Sequence, residues 1–570
     1  MLTARSSLRP FLPVFRPLVV GLVGLLWTSG GATAQAPLSP DQWRADLDEL
    51  VGHLLENHRN PFHTIDEGAF RAAASELRGR IDSLSGNEVA LGFAQLLASV
   101  GDGHTRLTIP ANPENLGYAQ AHTPDPAPAP GAPRFSTLPV RFMEFQEGIH
   151  VVAVTRGYEG LLGHRVLSIG RATPDSALAA LKPFVAHDTP AGLRFNSIKL
   201  LAVPELLAEA GVVDDARVID VETRPPGPDV DGASTFTALL PVAYDSEPEW
   251  MRTGHGILPA PADSTPYLAL EEGPDGVVVV RLNQINDSPT ESIGAFSNRL
   301  SRMIEDLEPD RVILDLRYCH GGDQSLSRAL VLPLVRWPPA QRPGHLYALV
   351  GPETFSAAVN LASRLEEWTQ ITFVGEPLGS GPSHYSSSDR EVLEHSGLVV
   401  RVSTGYFVGW TGSEWRESVE IGVPVRARIE AFLNGRDVVL DAAIGHEAGA
   451  EPAEQIRRAF DTGGINAALI VWSRFRTDPA TAPLAGPELG NGFAQYLFDR
   501  GESRFAAGIF LFNREFHPSS IEAYLGEAEA RIVLGEKAQA RAVLEEASQR
   551  APGDPRVAAL MSRLDEGRDT

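Results

Sequence analysis

The stretch Leu346-Tyr347-Ala348-Leu349-Val350-Gly351-Pro352-Glu353-Thr354-Phe355-Ser356-Ala357-Ala358 predicts a buried strand, a sharp turn and the start of a helix. Five apolar residues end at Gly351-Pro352, and a helical run begins just after Ser356. The Ser356 hydroxyl therefore stands at a helix N-terminus. There, unsatisfied N–H groups and the positive end of the helix dipole favour developing negative charge. A serine at such a point also serves as a plain helix cap, and this stretch alone does not separate the two roles.

Upstream lies Val312-Ile313-Leu314-Asp315-Leu316-Arg317-Tyr318-Cys319-His320-Gly321-Gly322-Asp323, an apolar strand closing in a double glycine. The glycines permit a tight turn with a backbone N–H aimed at a neighbouring group. From 277 to 425, predicted strands (277–282, 312–316, 346–350, 398–402) alternate with amphipathic helices (293–307, 357–368). That alternation predicts a layered α/β core.

Taken together, the Asp-Leu-Arg and Gly-Gly strand end, the Gly-x-x-Thr-x-Ser-Ala-Ala phrase and Val374-Gly375-Glu376-Pro377 resemble the catalytic core of the tail-specific (C-terminal-processing) and tricorn-core serine peptidase family. Gly422-Val423-Pro424 and the segment from Gly435 to Ala443 resemble its closing part. The resemblance implies a crotonase-like α/β peptidase core and a peptide-hydrolysing function. It makes Ser356 the nucleophile and places the oxyanion hole at Gly321 or Gly322 together with the Ala357 amide.

A serine hydroxyl needs a neighbouring base to take its proton. The tail-specific branch supplies a lysine, but Ser380 occupies that position here, and no lysine lies between Ser356 and Arg436. The tricorn-type branch uses a histidine from a helical cap, and Asp102-Gly103-His104-Thr105 matches that phrase, which implies His104 as general base. The same pattern implies a supporting carboxylate before the closing Gly-Val phrase. The choices are Glu414, Glu417 and Glu420, and spacing favours Glu417. The family also places a serine before the histidine, where this chain has Gly103. Asp315 and Arg317 are expected to pair and hold the oxyanion loop. His320 and His63 read as structural.

The chain of 570 residues is too long for one core, and its 43% hydrophobic and 21% charged content suits a soluble multidomain protein. Its net charge of −24, without a basic patch, argues against nucleic acid as a partner. One cysteine, Cys319, excludes an internal disulfide or a Cys-rich zinc site. With no phosphate loop and no His-Glu-x-x-His phrase, no cofactor is expected. Arg5, Arg9 and Arg16 precede the apolar run 18–27, and Ala32-Thr33-Ala34 follows. This predicts a signal peptide (1–34), export to the periplasm or outside, and no membrane span in the mature chain.

Apolar residues at helical spacing predict an N-terminal cap over 35–109, followed by a Pro/Ala-rich linker over 110–135. Short β runs predict a small PDZ-like β domain over 136–250, with a helix near 176–184. The peptidase core is expected over 265–448. Gly501, Ala506, Phe510 and Pro518 are echoed 34 positions later by Gly535, Ala540, Leu544 and Pro552, which predicts tetratricopeptide-like helical repeats over 485–566. Peptides or unfolded protein tails are the expected substrates, and the repeats a possible docking surface for a protein. Two other readings use the same residues: a non-catalytic binder of an apolar ligand or peptide on this fold, and an interaction scaffold built on the repeats.

Overall fold

The computed structural model describes residues 37–111, 126, 128–227, 234–253, 267–409, 416–446, 452–477 and 485–566. The expected signal peptide and most of the expected linker lie outside them. The molecule is a multidomain α/β protein with mixed sheets and C-terminal helical repeats.

Three helices, α1 (Pro40–Asn57), α2 (Glu67–Arg80) and α3 (Gly86–Ala98), form the N-terminal module. Ser39 with Gln42, and Ser85 with Glu88, close reciprocal capping boxes at the starts of α1 and α3. Their apolar faces bury Leu47, Leu50, Leu54, Phe93 and Leu97 against one another. After α3, Gly101 (φ 87°) breaks the helix, and the chain turns into β1 (Arg106–Leu107).

The next module is an antiparallel sheet of β2 (Val140–Phe145), β3 (Gly148–Thr155), β4 (Arg165–Ile169), β5 (Ile219–Arg224) and β6 (Thr235–Leu239), in the order 2-3-4-5-6. A further strand, β7 (Trp250–Arg252), pairs with β3. Three helices, Pro174–Leu181, Pro190–Leu200 and Pro204–Glu209, lie between β4 and β5 where the sequence predicted one. Each opens on a proline, whose fixed φ suits the first helical turn.

The core sheet comprises β8 (Leu268–Glu272), β9 (Val277–Leu282), β10 (Arg311–Asp315), β11 (Leu346–Val350) and β12 (Thr372–Gly375), and its last member is a strand at Ile421–Pro424. All neighbours are parallel except the edge pair β8–β9. The central strands are buried on both faces, which is why they read as unbroken Val/Ile/Leu runs. Helices Ile293–Leu307, Ser327–Arg336 and Ala357–Trp368 cover the sheet. Between β12 and the last strand, β13 (His384–Val392) and β14 (Val399–Phe407) form a hairpin. β1 adds to β14 with Arg106 opposite Arg401, so the core sends out two strands that complete a sheet with the N-terminal module.

A helix at Pro452–Thr477, interrupted at Gly464 (φ 72°), leads to the repeats Pro487–Asp499, Ser503–Phe516, Ile521–Val533, Lys537–Arg550 and Pro555–Glu566. Gly501 and Gly535 take positive φ in equivalent turns, and Ala506 and Ala540 are fully buried at equivalent contacts, which explains the repeat period. Among the described residues no helix is long and apolar enough to cross a membrane.

Candidate active site

β11 delivers Ser356 through a turn that several bonds hold in place. The Thr354 hydroxyl donates to the Leu316 carbonyl at 2.9 Å and accepts the Gly351 N–H at 3.1 Å. The Phe355 N–H donates to the Cys319 carbonyl at 3.1 Å, tying the turn to the loop that follows β10. So constrained, Ser356 adopts φ 55°, ψ −126°. For a residue with a side chain, such a conformation costs about 1–3 kcal/mol and persists only where the surroundings enforce it. Ser356 occupies the cap position of helix Ala357–Trp368, yet its hydroxyl makes no capping bond. Its Oγ lies instead 2.9 Å from Nε2 of His104.

His104 comes from the turn between α3 and β1, 252 residues earlier, and is buried. The Phe355 ring stacks on the imidazole at 4.4 Å, and the His384 ring lies nearly parallel to it at 5.8 Å. Asp102 fixes the backbone of this turn. Its Oδ1 accepts the N–H groups of His104 (2.9 Å) and Thr105 (2.8 Å) and the Ser403 hydroxyl (2.7 Å), while Oδ2 meets His58 Nε2 at 2.9 Å. Burial pushes the Asp102 carboxyl up, but the bonds from His58 and Ser403 outweigh it and hold the group well below the usual carboxylate range. His58 in turn stacks on His63, which packs against Tyr385.

Burial, reinforced by the neighbouring His384 and by Arg106, pushes His104 well below its ordinary value. The ring is therefore neutral near pH 7, and Nε2 can accept the serine proton. Among the described residues His104 Nδ1 has no hydrogen-bond partner, while the Tyr385 backbone opposes the downward shift.

The double glycine sits against the nucleophile. A methyl group on Gly321 (φ 98°) would lie 2.7 Å from the Ala357 nitrogen and 2.8 Å from Ser356 Cβ. The Gly321 carbonyl accepts the Ile285 N–H at 2.8 Å, and the Asp323 N–H donates to the Ile285 carbonyl at 2.9 Å. These two bonds flank Gly322 and leave its own N–H, like that of Ala357, without a backbone acceptor among the described residues. Arg317 anchors the loop from behind, pairing with Asp315 at 2.7 Å and Asp437 at 2.6 Å. His320 pairs with Glu353 at 2.8 Å, and Lys199 reaches the same carboxylate at 3.1 Å. Burial pushes Glu353 up, but the contacts from Lys199 and His320 overcome it and hold the group at about 2. Burial, reinforced by the nearby Asp315 carboxylate, outweighs a hydrogen bond from the Gly321 backbone and pushes the Cys319 thiol up to about 12, so it is not a thiolate near neutrality. His104, Ser356, Gly322 and Ala357 open on a cleft of about 990 Å³ that Lys199 and Arg401 also line.

Glu417 does not support the imidazole. Its side chain is exposed, and its backbone carbonyl packs behind Gly381 instead. Glu420 pairs with Arg474 at 2.8 Å, and Glu414 lies outside the described residues. The carboxylate that holds the histidine turn is Asp102, which sequence reasoning quoted but left without a role. The Asp-x-x-Thr spacing carries the signal, because an aspartate readily accepts the N–H two residues on in an Asx-turn. Asp188, which bonds to the Gly103 N–H, was also missed, and no local pattern marks it. Among the described residues no group of three or more His, Cys, Asp or Glu is arranged to hold a metal ion.

A family model described as tetratricopeptide repeat matches residues 503–564. No curated protein matches the sequence. Solved structures similar to this chain include mature CPAF, 11% identical, with 70% of this chain and 96% of that one covered and a TM-score of 0.45. The photosystem II D1 C-terminal processing protease is 12% identical over 68% of this chain and 94% of its own, with a TM-score of 0.32. The tricorn protease is 10% identical over 71% and 36% respectively, with a TM-score of 0.32. Likenesses this distant carry no argument about chemistry, which rests on the geometry of the site.

Proposed function

We propose that this chain is a serine-type endopeptidase acting on peptides or unfolded protein tails. The observation that carries the reading is the 2.9 Å approach of His104 Nε2 to a Ser356 hydroxyl held in a strained turn and not used as a helix cap. In the resting site the Ser356 O–H donates to Nε2 of a neutral His104, whose proton is on Nδ1. As Oγ attacks a peptide carbonyl, Nε2 takes the hydroxyl proton and later gives it to the departing amine. The carbonyl oxygen gains negative charge beside the Gly322 and Ala357 N–H groups and the positive end of helix Ala357–Trp368. Water then attacks the acyl-enzyme by the same route in reverse. The buried Asp102 carboxylate offers an imidazolium on His104 a nearby negative charge and keeps the turn in place.

The module over 136–250 is taken as PDZ-like, and with the repeats it would present chain segments to the cleft of an exported enzyme. Incubation with fluorescein-labelled casein tests the activity. Cleavage by wild type that disappears in Ser356→Ala supports the peptidase, and cleavage that persists in Ser356→Ala refutes it.

A further inference from the structure

Two positions at which this chain departs from the family pattern, Gly103 before the histidine and Ser380 in place of the lysine, meet in space on a third residue. Asp188 lies in the segment leading into helix Pro190–Leu200 of the β-sheet module. Its Oδ1 accepts the Gly103 N–H at 2.7 Å, and its Oδ2 accepts the Ser380 hydroxyl at 2.5 Å. One carboxylate thus joins the histidine turn, the sheet module and the core loop after β12.

The surroundings fit a built contact. The neighbouring Thr189 hydroxyl donates to the Leu378 and Gly379 carbonyls at 3.0 and 3.1 Å, latching the same segment to the same core loop. Glycine at 103 is what allows the carboxylate in. A Cβ there would stand 3.2 Å from Asp188 Oδ2 and 3.0 Å from Phe355 Cε2, squeezed between the carboxylate and the ring that stacks on His104. The proton relay leaves Asp188 unused, because the carboxylate touches the residue before the base and not the base itself.

We propose that Asp188 is a positioning residue: through paired hydrogen bonds to Gly103 and Ser380 it locks the His104 turn against the core, holding Nε2 in line with the Ser356 hydroxyl. This rests on the reading of Ser356 as nucleophile and His104 as base. The charged groups facing the carboxylate, Asp102 and Arg106, both come from the histidine side, and the core loop presents the Ser380 hydroxyl. Asparagine preserves the pair of bonds, since Oδ1 still accepts from Gly103 and Nδ2 can donate to Ser380 Oγ.

The experiment measures the second-order rate of Ser356 labelling by a fluorophosphonate probe, together with kcat and KM on fluorescein-labelled casein. Asp188→Ala should slow labelling and lower kcat by about 10–100-fold, the scale of a small misplacement of a catalytic group, with KM little changed. Asp188→Asn should stay close to wild type, and Ser380→Ala should fall between the two, which keeps the test decisive if the alanine variant at 188 folds poorly. Wild-type rates in Asp188→Ala, or an asparagine variant as slow as the alanine one, overturn the proposal. Labelling that survives Ser356→Ala sinks the nucleophile assignment and this proposal with it. Labelling lost in Ser356→Ala but unchanged in Asp188→Ala and Ser380→Ala sinks this proposal alone.

Discussion

Replacing Asp102 by alanine should loosen the N-terminal module and disable the site together. Four donors converge on this carboxylate: His58 Nε2, the His104 and Thr105 N–H groups, and the Ser403 hydroxyl. All four belong to residues that are buried. Each buried donor left without an acceptor costs about 1–3 kcal/mol, and water entering the vacated space recovers part of this, so a loss of about 3–5 kcal/mol is expected. Hydrogen exchange read by mass spectrometry over α3 and β1 reports the opening free energy locally, which suits a chain of several domains. Protection there should fall by about two to four orders of magnitude at pH 7, since each 1.4 kcal/mol is about tenfold. Asp102→Asn, which keeps an oxygen for the two backbone N–H groups, should lose much less. The pH sign follows from a depressed carboxyl pKa. The stabilisation is present above the unfolded carboxyl value of about 4 and is lost as pH falls through the lower folded value. Alanine-variant protection within tenfold of wild type would refute the role given to Asp102.

Glu417→Gln should leave casein cleavage at the wild-type rate, because the exposed carboxylate does not touch His104; a loss of about tenfold or more would restore it as a catalytic partner. Gly321→Ala should lower kcat by about 10²-fold or more with little change in KM, since the added methyl would stand 2.7 Å from the Ala357 nitrogen; an unimpaired variant would move the oxyanion site elsewhere. Burial pushes Asp188 up to about 7, so its charge opposes folding as pH rises from about 4 to 7. The residue is only half-buried, so solvent screening reduces this cost. Asp188→Asn should accordingly raise the midpoint of thermal unfolding at pH 8 and leave it unchanged at pH 4, and equal midpoints at both would contradict that burial.

The legible parts of the molecule were those governed by local pattern. The strands at 277–282 and 346–350 and the helices at 293–307 and 357–368 stand where periodicity put them, because buried parallel strands and amphipathic helices each write their own repeat into the chain. The 34-residue echo was equally plain, since turn glycines and buried alanines must recur wherever one hairpin packs on the next. What escaped was tertiary. Asp102 owes its role to His58, 44 residues before it, and to Ser403, 301 after it. Asp188 sits in a different module from both of its partners. Glu417 was chosen by spacing along the chain, and spacing does not report that its side chain turns outward. The helices between β4 and β5 were undercounted because each is short and opens on a proline, at 174, 190 and 204.

The most direct test of the central claim is the pH dependence of fluorophosphonate labelling at Ser356 in wild type and in His104→Ala. Wild type should show a single-proton acid limb below the ordinary histidine range of about 6.5, because burial favours the neutral ring. His104→Ala should react about 10²–10⁴-fold more slowly and lose that limb. A variant that labels at the wild-type rate, with the acid limb intact, would contradict His104 as the base.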